Sequence, residues 1–226
     1  MRALGLSLMG LLFFGCTGTV DDGPAGTQSP TNPPPVIDPD NPLPEIQCDT
    51  VGPRLVRRLT AGQYRESLLQ LFGNDPNVPD AEVLTDPARL GFHVDAREAV
   101  VRDLGAQQLM VHAEKVAAWA VEQKLGQVAG CQNFDDSGCR RSFIEDFGLR
   151  AYRHPLENAT VDAYETMFVA EGTFPKGAEA VIATMLQSPH FLYRQEIGQP
   201  NGDMHELDAY ELATNLAFTL TDAPPD

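Results

Sequence analysis

The chain has 226 residues, of which 42% are hydrophobic and 21% charged, and its formal net charge at neutral pH is −16. This length allows one substantial hydrophobic core or two small ones. The acidic balance disfavours nucleic acids and anionic lipid surfaces, because their phosphates would repel the chain, and DNA and RNA are therefore excluded as partners.

The first fifteen residues are predicted to form a signal peptide. Arg2 precedes an apolar stretch from Leu4 to Phe14, and Gly15 stands directly before Cys16. A membrane-spanning helix needs ~20 apolar residues, so this stretch is too short to be a permanent span. The pattern resembles the lipobox of bacterial lipoproteins, which implies cleavage before Cys16 and acylation of that cysteine. The alternative is an ordinary secretory signal followed by a stray cysteine.

Residues 16–53 are predicted to be a lipid anchor followed by a disordered tether. The segment from 17 to 53 contains nine prolines, mixed with Gly, Asp, Thr and Asn and few large apolar residues. Such a composition cannot bury enough surface to offset the conformational entropy of the chain. Removal of the signal peptide with Arg2 lowers the net charge by one, to −17.

From Arg54 onward the pattern predicts a mainly α protein with helical, bundle-like domains and no convincing strand. Thr60 and Gln63 have the spacing of a capping box, and Gly73 is placed to end this first helix. A longer second helix is predicted from Asp95, capped with Glu98, to about residue 125.

Three cysteines remain after the lipidation site. Cys131 and Cys139 flank a loop that contains Asp-Asp-Ser-Gly, a turn-forming sequence, so we expect a disulfide between them in an extracytoplasmic compartment. Cys48 would then be unpaired, or would have a partner beyond residue 226.

Four further helices follow the cysteine loop. Arg153-His154-Pro155 should end the third helix, and Asn158 is predicted to cap the fourth. Ser188-Pro189 ends or kinks the fifth, whose apolar stripe is the cleanest in the chain. The sixth starts at an Asp208–Glu211 capping pair and presents a row of leucines one turn apart: Leu212, Leu216 and Leu220.

These elements predict three segments after the tether. Residues 54–130 form a first helical domain, 131–172 a helical hairpin domain, and 173–226 the start of a further helical domain that is truncated.

Several stretches occur together in an order that carries a family resemblance: residues 57–64 with 71–73, 91–93 with 113–117, 147–156, 185–194 and 207–213. Over residues 54–226 the chain resembles large secreted proteins of myxobacteria and planctomycetes that are built from consecutive helical domains of unknown function. Members of that family continue for several hundred residues and are sometimes fused to a cytochrome-c-like domain or to carbohydrate-binding modules. This chain has no Cys-x-x-Cys-His, so it should carry no covalent haem. The resemblance brings no catalytic residues.

Candidate binding residues cluster around the break at Ser188-Pro189. His190, Tyr193 and Arg194 are candidates to line a cleft there; alternatively, the His190 imidazole bonds backbone carbonyls freed by the proline. No two histidines have the spacing that places imidazoles on one helix face, so no metal or other cofactor is expected.

A second cluster contains Arg150 and Arg153. These arginines could bind a carboxylate or a sugar acid, although such side chains more often pair with local acids such as Glu145 or Asp146. The sequence has no Gly-x-Ser-x-Gly and no glycine-rich phosphate loop with a lysine, so no catalytic residue is assigned.

We therefore expect a lipid-anchored protein of the bacterial cell envelope, on the outer membrane, more plausibly without enzymatic activity than with it. It would work as a helical interaction or scaffold module, or as a fragment of a longer secreted protein, with an envelope protein as partner. The alternative is a carbohydrate-binding or accessory component of extracellular polysaccharide degradation.

Overall fold

The computed structural model describes residues 54–80, 84–87, 96 and 99–225. The described residues are mainly α-helical, which confirms the predicted fold class. The helices are α1 Ala61–Leu71, α2 Asp103–Ala129, α3 Ser137–Tyr152, α4 Asn158–Ala170, α5 Phe174–Gln187, α6 Pro189–Leu192 and α7 Ala209–Thr221. The strands are β1 Leu55–Arg58, β2 Tyr193–Glu196, β3 Gln199–Asn201 and β4 Met204–Glu206. The predicted signal peptide, Cys16, the tether and Cys48 lie outside the described residues.

The unit Arg54–Asp226 is built around one hydrophobic core. Its central element is α5, which packs against α2 and α4 and buries its whole apolar stripe, as the sequence predicts. Aromatic rings fill the space beside it, with Phe143 contacting Phe147, Phe168 and Phe174 at centroid distances of 5.9 to 6.0 Å. Side chains from all three predicted segments contribute to this core. The independence of those segments as domains stays a prediction.

Two small antiparallel sheets accompany the helices, so the expectation of no strands is wrong. Strands β1 and β2 pair with Leu55 opposite Glu196 and Arg58 opposite Tyr193. The pairing continues into a hydrogen bond of 2.8 Å from the Leu59 N–H to the Leu192 carbonyl. Each strand has four residues, and its partner lies far away in the sequence, so local alternation of polar and apolar residues could not show them.

The second helix starts later than predicted. Residues 99–102 are not helical, and α2 begins at Asp103 with Arg102 in an extended N-cap conformation. The predicted caps, Asp95 and Glu98, lie outside the described residues. Adjacent Val100 and Val101 precede the observed start, and their β-branched side chains lower helix propensity there.

Helix caps explain most of the other boundaries. The capping boxes at Thr60–Gln63 and Asp208–Glu211 are both present, as predicted. Asn158, predicted as a cap, is instead the first residue of α4; Glu157 is the N-cap and makes no side-chain cap bond.

The cysteine loop is closed as the sequence predicts. Cys131 and Cys139 form a disulfide with a Cα–Cα distance of 5.7 Å. Asp136 caps α3 within this loop through a bond of 2.9 Å from the Gly138 N–H. The disulfide thus ties the end of α2 to the first turn of α3.

Candidate ligand-binding cleft

An open cleft of about 410 Å³ lies where the chain turns after α3 and after α6. Its walls come from the loop between α3 and α4, from α6 and β2, from residues 197–199, and from the first turns of α7. Three separate stretches of sequence, residues 152–160, 190–199 and 208–214, therefore meet here.

The break after α5 places His190 on the cleft wall. Ser188 ends α5 in an extended conformation and caps α6, accepting a bond of 3.2 Å from the His190 N–H. The Gln195 amide nitrogen lies 2.9 Å from His190 Nδ1 and can only donate, so Nδ1 is the acceptor. In the neutral ring the hydrogen is therefore on Nε2.

Two tyrosines add aromatic surface to the cleft. The Tyr152 ring lies 5.1 Å from the His190 ring, and its hydroxyl bonds the Tyr164 hydroxyl at 2.5 Å. Burial raises the pKa of the Tyr152 phenol above its usual range, so this group stays protonated. Tyr193 lies on the same wall, at the start of β2.

The carboxylates that α7 contributes to the cleft are engaged in structural bonds. Glu211 accepts from the backbone N–H groups of Ile197, Gly198 and Asp208 at 3.1 to 3.2 Å. Asp208 accepts from the Glu211 N–H and from His154 Nε2, and the first of these bonds is the main cause of its lowered pKa. Asp208 therefore stays ionised near neutral pH and is unsuited to donate a proton as a general acid.

Arg153 forms the floor between the cleft and the core. It ends α3 in the left-handed region with a φ of 58°, and its side chain is 6% exposed. Nη2 donates to the carbonyls of His190, Phe191 and Tyr193 at 2.8 to 3.0 Å. The carbonyls freed at the helix break are thus satisfied by Arg153 and not by the His190 imidazole, which corrects the second interpretation of that histidine.

Of the three predicted cleft residues, His190 and Tyr193 line the cleft, whereas Arg194 is not among its lining side chains. Arg194 is 7% exposed, and its guanidinium lies 5.4 Å from the centre of the Phe218 ring. A ligand role for the three residues stays a prediction. Sequence reasoning missed Tyr152, Asp208 and Glu211 as neighbours of this site, because the end of α3 and the start of α7 reach it through tertiary packing that no local pattern shows.

The other histidines are dispersed. His112 is buried between Tyr64 and the Pro79 carbonyl, His154 contacts Asp208, and His205 is exposed on β4. His93 lies outside the described residues. In the described ranges, no three His, Cys, Asp or Glu side chains converge as metal ligands.

The arginine cluster does not form the expected local ion pairs. Arg150 bonds backbone carbonyls, those of Leu71 at 3.1 Å and of Asp146 at 3.4 Å. Glu145 instead pairs with Arg141 at 3.1 Å. Among the described residues no ion pair joins Arg150 or Arg153 to Glu145 or Asp146; the Asp146 charge acts on Arg150, where it opposes the lowering of the Arg150 pKa by burial.

The fold and the cleft define a mainly α-helical protein whose described helices include none long and apolar enough to cross a membrane. Residues 57–122 match the family model described as PSD3, protein of unknown function (DUF1587). Residues 139–196 match the model described as PSD5, protein of unknown function (DUF1595). The chain thus contains two consecutive domains of unknown function, which confirms that part of the resemblance. No curated protein and no solved structure matches the chain.

Proposed function

We propose that this protein is a lipid-anchored interaction module of the bacterial cell envelope that binds a partner protein without catalysing a reaction. The proposed location at the cell envelope rests on the lipobox-like sequence around Cys16 and on the proline-rich segment that follows it. A segment of this composition would hold residues 54–226 away from the membrane surface, where a large partner can reach them.

The exposed face of α7 is the observation that carries this proposal. Leu212, Leu216 and Leu220 are 50%, 52% and 76% exposed, whereas Thr214 and Phe218 on the opposite face are buried. The outward positions of the helix are uncharged: Ala209, Tyr210, Leu212, Ala213, Leu216, Thr219 and Leu220. Leucines four residues apart form a ridge that packs well against a second helix. A helix of a partner protein is the ligand that this surface favours.

Site-specific photo-crosslinking tests the interaction. A photoreactive residue at position 216, in cells that express the full chain, should give one adduct of defined mass. The Leu212→Asp change should reduce that adduct at least tenfold, because a charge would have to be buried in the interface. The same residue at Glu122, an exposed position on α2, is the matched control. Equal adducts from positions 122 and 216, or none from 216, would contradict the proposal.

Metabolic labelling tests the proposed lipid anchor at Cys16 separately. Labelled palmitate should enter the wild-type chain and not the Cys16→Ala variant. If both chains are labelled equally, or neither is, the lipid anchor is wrong even where the crosslinking succeeds.

A second candidate function is carbohydrate binding in the cleft. The Tyr152, His190 and Tyr193 rings lie beside hydrogen-bonding groups such as Gln195, and sugars bind to this combination. A glycan array with the full chain should then give signals that Tyr193→Ala abolishes and Met204→Ala, an exposed site on β4, preserves. Signals that survive Tyr193→Ala would place any glycan site elsewhere.

A further inference from the structure

A second, smaller pocket of about 250 Å³ lies between α1, the end of α3 and residues 224–225. Its polar lining includes Gln70, Arg150 and Arg153, and its apolar lining is formed by Leu71, Pro224 and Pro225. Arg153 borders both this pocket, which we call the arginine pocket, and the cleft.

The guanidinium groups of Arg150 and Arg153 both have N–H groups that make no hydrogen bond among the described residues. Each guanidinium has five N–H donors. Arg150 uses Nη1 and Nε on backbone carbonyls, and Arg153 uses Nη2. In the part of the chain that the structure describes, Nη2 of Arg150 and Nη1 of Arg153 make no hydrogen bond, and Nε of Arg153 is buried without a partner. Two nitrogens, Nη2 of Arg150 and Nη1 of Arg153, therefore remain as donors on two side chains that line the same small cavity.

The two positive charges are incompletely balanced: the Asp146 charge acts on Arg150, but its carboxylate forms no ion pair with it. Neither Arg150 nor Arg153 forms an ion pair with a carboxylate among the described residues, whereas Arg58, Arg140 and Arg141 do so at 2.8 to 3.2 Å. In a chain with a net charge of −16, two arginines that form no ion pair among the described residues line one cavity. They form a local site of positive potential that an anion would neutralise.

Burial makes these charges costly. It lowers the pKa of Arg150, and together with the neighbouring charge of Arg194 it lowers the pKa of Arg153 to about 10. Both groups remain protonated near neutral pH. A bound anion would oppose this destabilisation because it favours the charged form.

Gln70, which lines the pocket, has an acceptor without a donor. Gln70 Oε1 is buried and has no hydrogen-bond partner in the described part of the chain. A buried acceptor of this kind costs about 1–3 kcal/mol if it stays unsatisfied. A ligand that fits the pocket should therefore carry a hydroxyl donor as well as a negative charge.

We propose that the arginine pocket binds a small hydroxycarboxylate, the chemical class that includes hydroxy acids and sugar acids. The carboxylate accepts from the unused donors of Arg150 and Arg153, and a hydroxyl group donates to Gln70 Oε1. Leu71 and the two prolines contact the carbon skeleton. The proposal does not depend on the location at the cell envelope, on a partner protein that binds α7, or on glycan binding in the cleft.

Isothermal titration of the full chain with two matched ligand pairs tests the chemistry. Galacturonate should bind and galactose, which lacks the carboxylate, should not. Lactate should bind at least tenfold more tightly than propionate, which lacks the hydroxyl. Tighter binding of galacturonate than lactate would identify sugar acids as the better ligands, and the reverse would identify hydroxy acids. Absence of heat with both galacturonate and lactate at millimolar concentrations, or equal binding of galactose, would overturn the proposal.

Variants test the location. Arg150→Gln should weaken binding at least tenfold, and Arg150→Lys should weaken it less because the charge remains without the planar fork. Arg141→Gln, on the same helix but paired with Glu145 and Asp162, should bind as the wild type does. Gln70→Glu is a second variant that changes no arginine. Its negative charge should abolish binding because it repels the carboxylate of the ligand. Unchanged affinity in folded Arg150→Gln and in Gln70→Glu would show that the arginine pocket is not the site.

Discussion

Arg153 connects the end of α3 to three other elements through a single side chain. It ends α3, and its Nη2 donates hydrogen bonds to carbonyls of α6 and β2. Its guanidinium carbon lies 6.0 Å from the centre of the Phe191 ring and 5.7 Å from that of the Phe218 ring on α7. A left-handed φ of 58° is unfavourable for an arginine, so the bonds of the side chain must outweigh the cost of that conformation.

The Arg153→Met change should therefore destabilise the fold by about 2–3 kcal/mol, since the buried Phe191 carbonyl left without a donor costs about 1–3 kcal/mol and two part-buried carbonyls lose the same donor. Urea unfolding monitored by circular dichroism measures this loss. Arg141→Met is the matched control, because its ion pairs lie at the surface and should change the urea midpoint little. Similar midpoints for both variants would contradict a structural role for Arg153.

His112 gives the core a pH-dependent component. The Pro79 carbonyl can only accept, so His112 Nε2 carries the hydrogen at 3.1 Å and Nδ1 accepts from the Tyr64 hydroxyl at 3.0 Å. Burial lowers the pKa of His112 below its usual value of 6.5. The unfolded chain therefore binds a proton at a higher pH than the folded chain does.

Stability should consequently be highest above pH 6.5 and should fall as the pH decreases through the lowered pKa of His112. The loss can reach ~1.4 kcal/mol per pH unit for one proton. His112→Gln should lose about 1–3 kcal/mol at pH 7.5 and should show a flatter stability profile between pH 7 and pH 5. The exposed His205→Gln variant should keep the wild-type profile, and equal slopes in all three chains would exclude His112 as the cause.

At the scale of whole elements, close packing decides how glycines in helices behave. A Cβ atom at Gly177, in the first turns of α5, would collide with the Phe168 ring on α4, whereas nothing lies within 4 Å of such an atom at Gly126 in α2. The same substitution should thus have opposite effects on two helices.

Gly177→Ala should destabilise the fold by ~1–3 kcal/mol through overpacking, despite the better helix propensity of alanine. Gly126→Ala should stabilise it by ~0.5–1 kcal/mol, because only the propensity changes. Thermal unfolding of the two single variants tests the pair. A similar loss of stability in both variants would contradict the prediction that the contact between Gly177 and Phe168 makes the two glycines differ.

Features that depend on nearby residues could be predicted from the sequence, whereas features that depend on contacts between distant residues could not. The capping boxes at Thr60 and Asp208 act within three residues and can be recognised in the sequence, as can the stripe of α5. The β1–β2 pairing could not be recognised, because it joins residues 55–58 to residues 193–196. The cleft was predictable in the same partial way, since the Ser188-Pro189 break indicated His190 and Tyr193 but could not indicate α7.

The orientation of α7 shows the same limit. A row such as Leu212, Leu216 and Leu220 would ordinarily mark the buried face of a helix. In this fold the opposite face is held inward, because Phe218 lies over Arg194 and Glu211 binds backbone N–H groups at residues 197 and 198. Polar and cation–π contacts with distant residues therefore decide which face is exposed.

For the whole molecule, one shared core implies one cooperative unit. Buried residues of the core come from every stretch between Leu59 and Phe218 that the structure describes as helical, and β1 joins the two ends of this range through β2. Separate folding of residues 54–130, 131–172 and 173–226 would require each segment to leave most of its buried face exposed to water.

Calorimetry of the full chain should therefore show a single transition, with equal calorimetric and van't Hoff enthalpies. A chain that starts at Arg54 should have the same midpoint within ~2 °C, because residues 54–226 contain the whole unit. A chain that starts at Ala61 is the matched control. It lacks β1, the buried Leu59 and the Arg58–Asp86 ion pair of 2.8 Å, so its midpoint should be much lower. Three resolved transitions, or equal midpoints for the chains starting at residues 54 and 61, would instead favour independent domains.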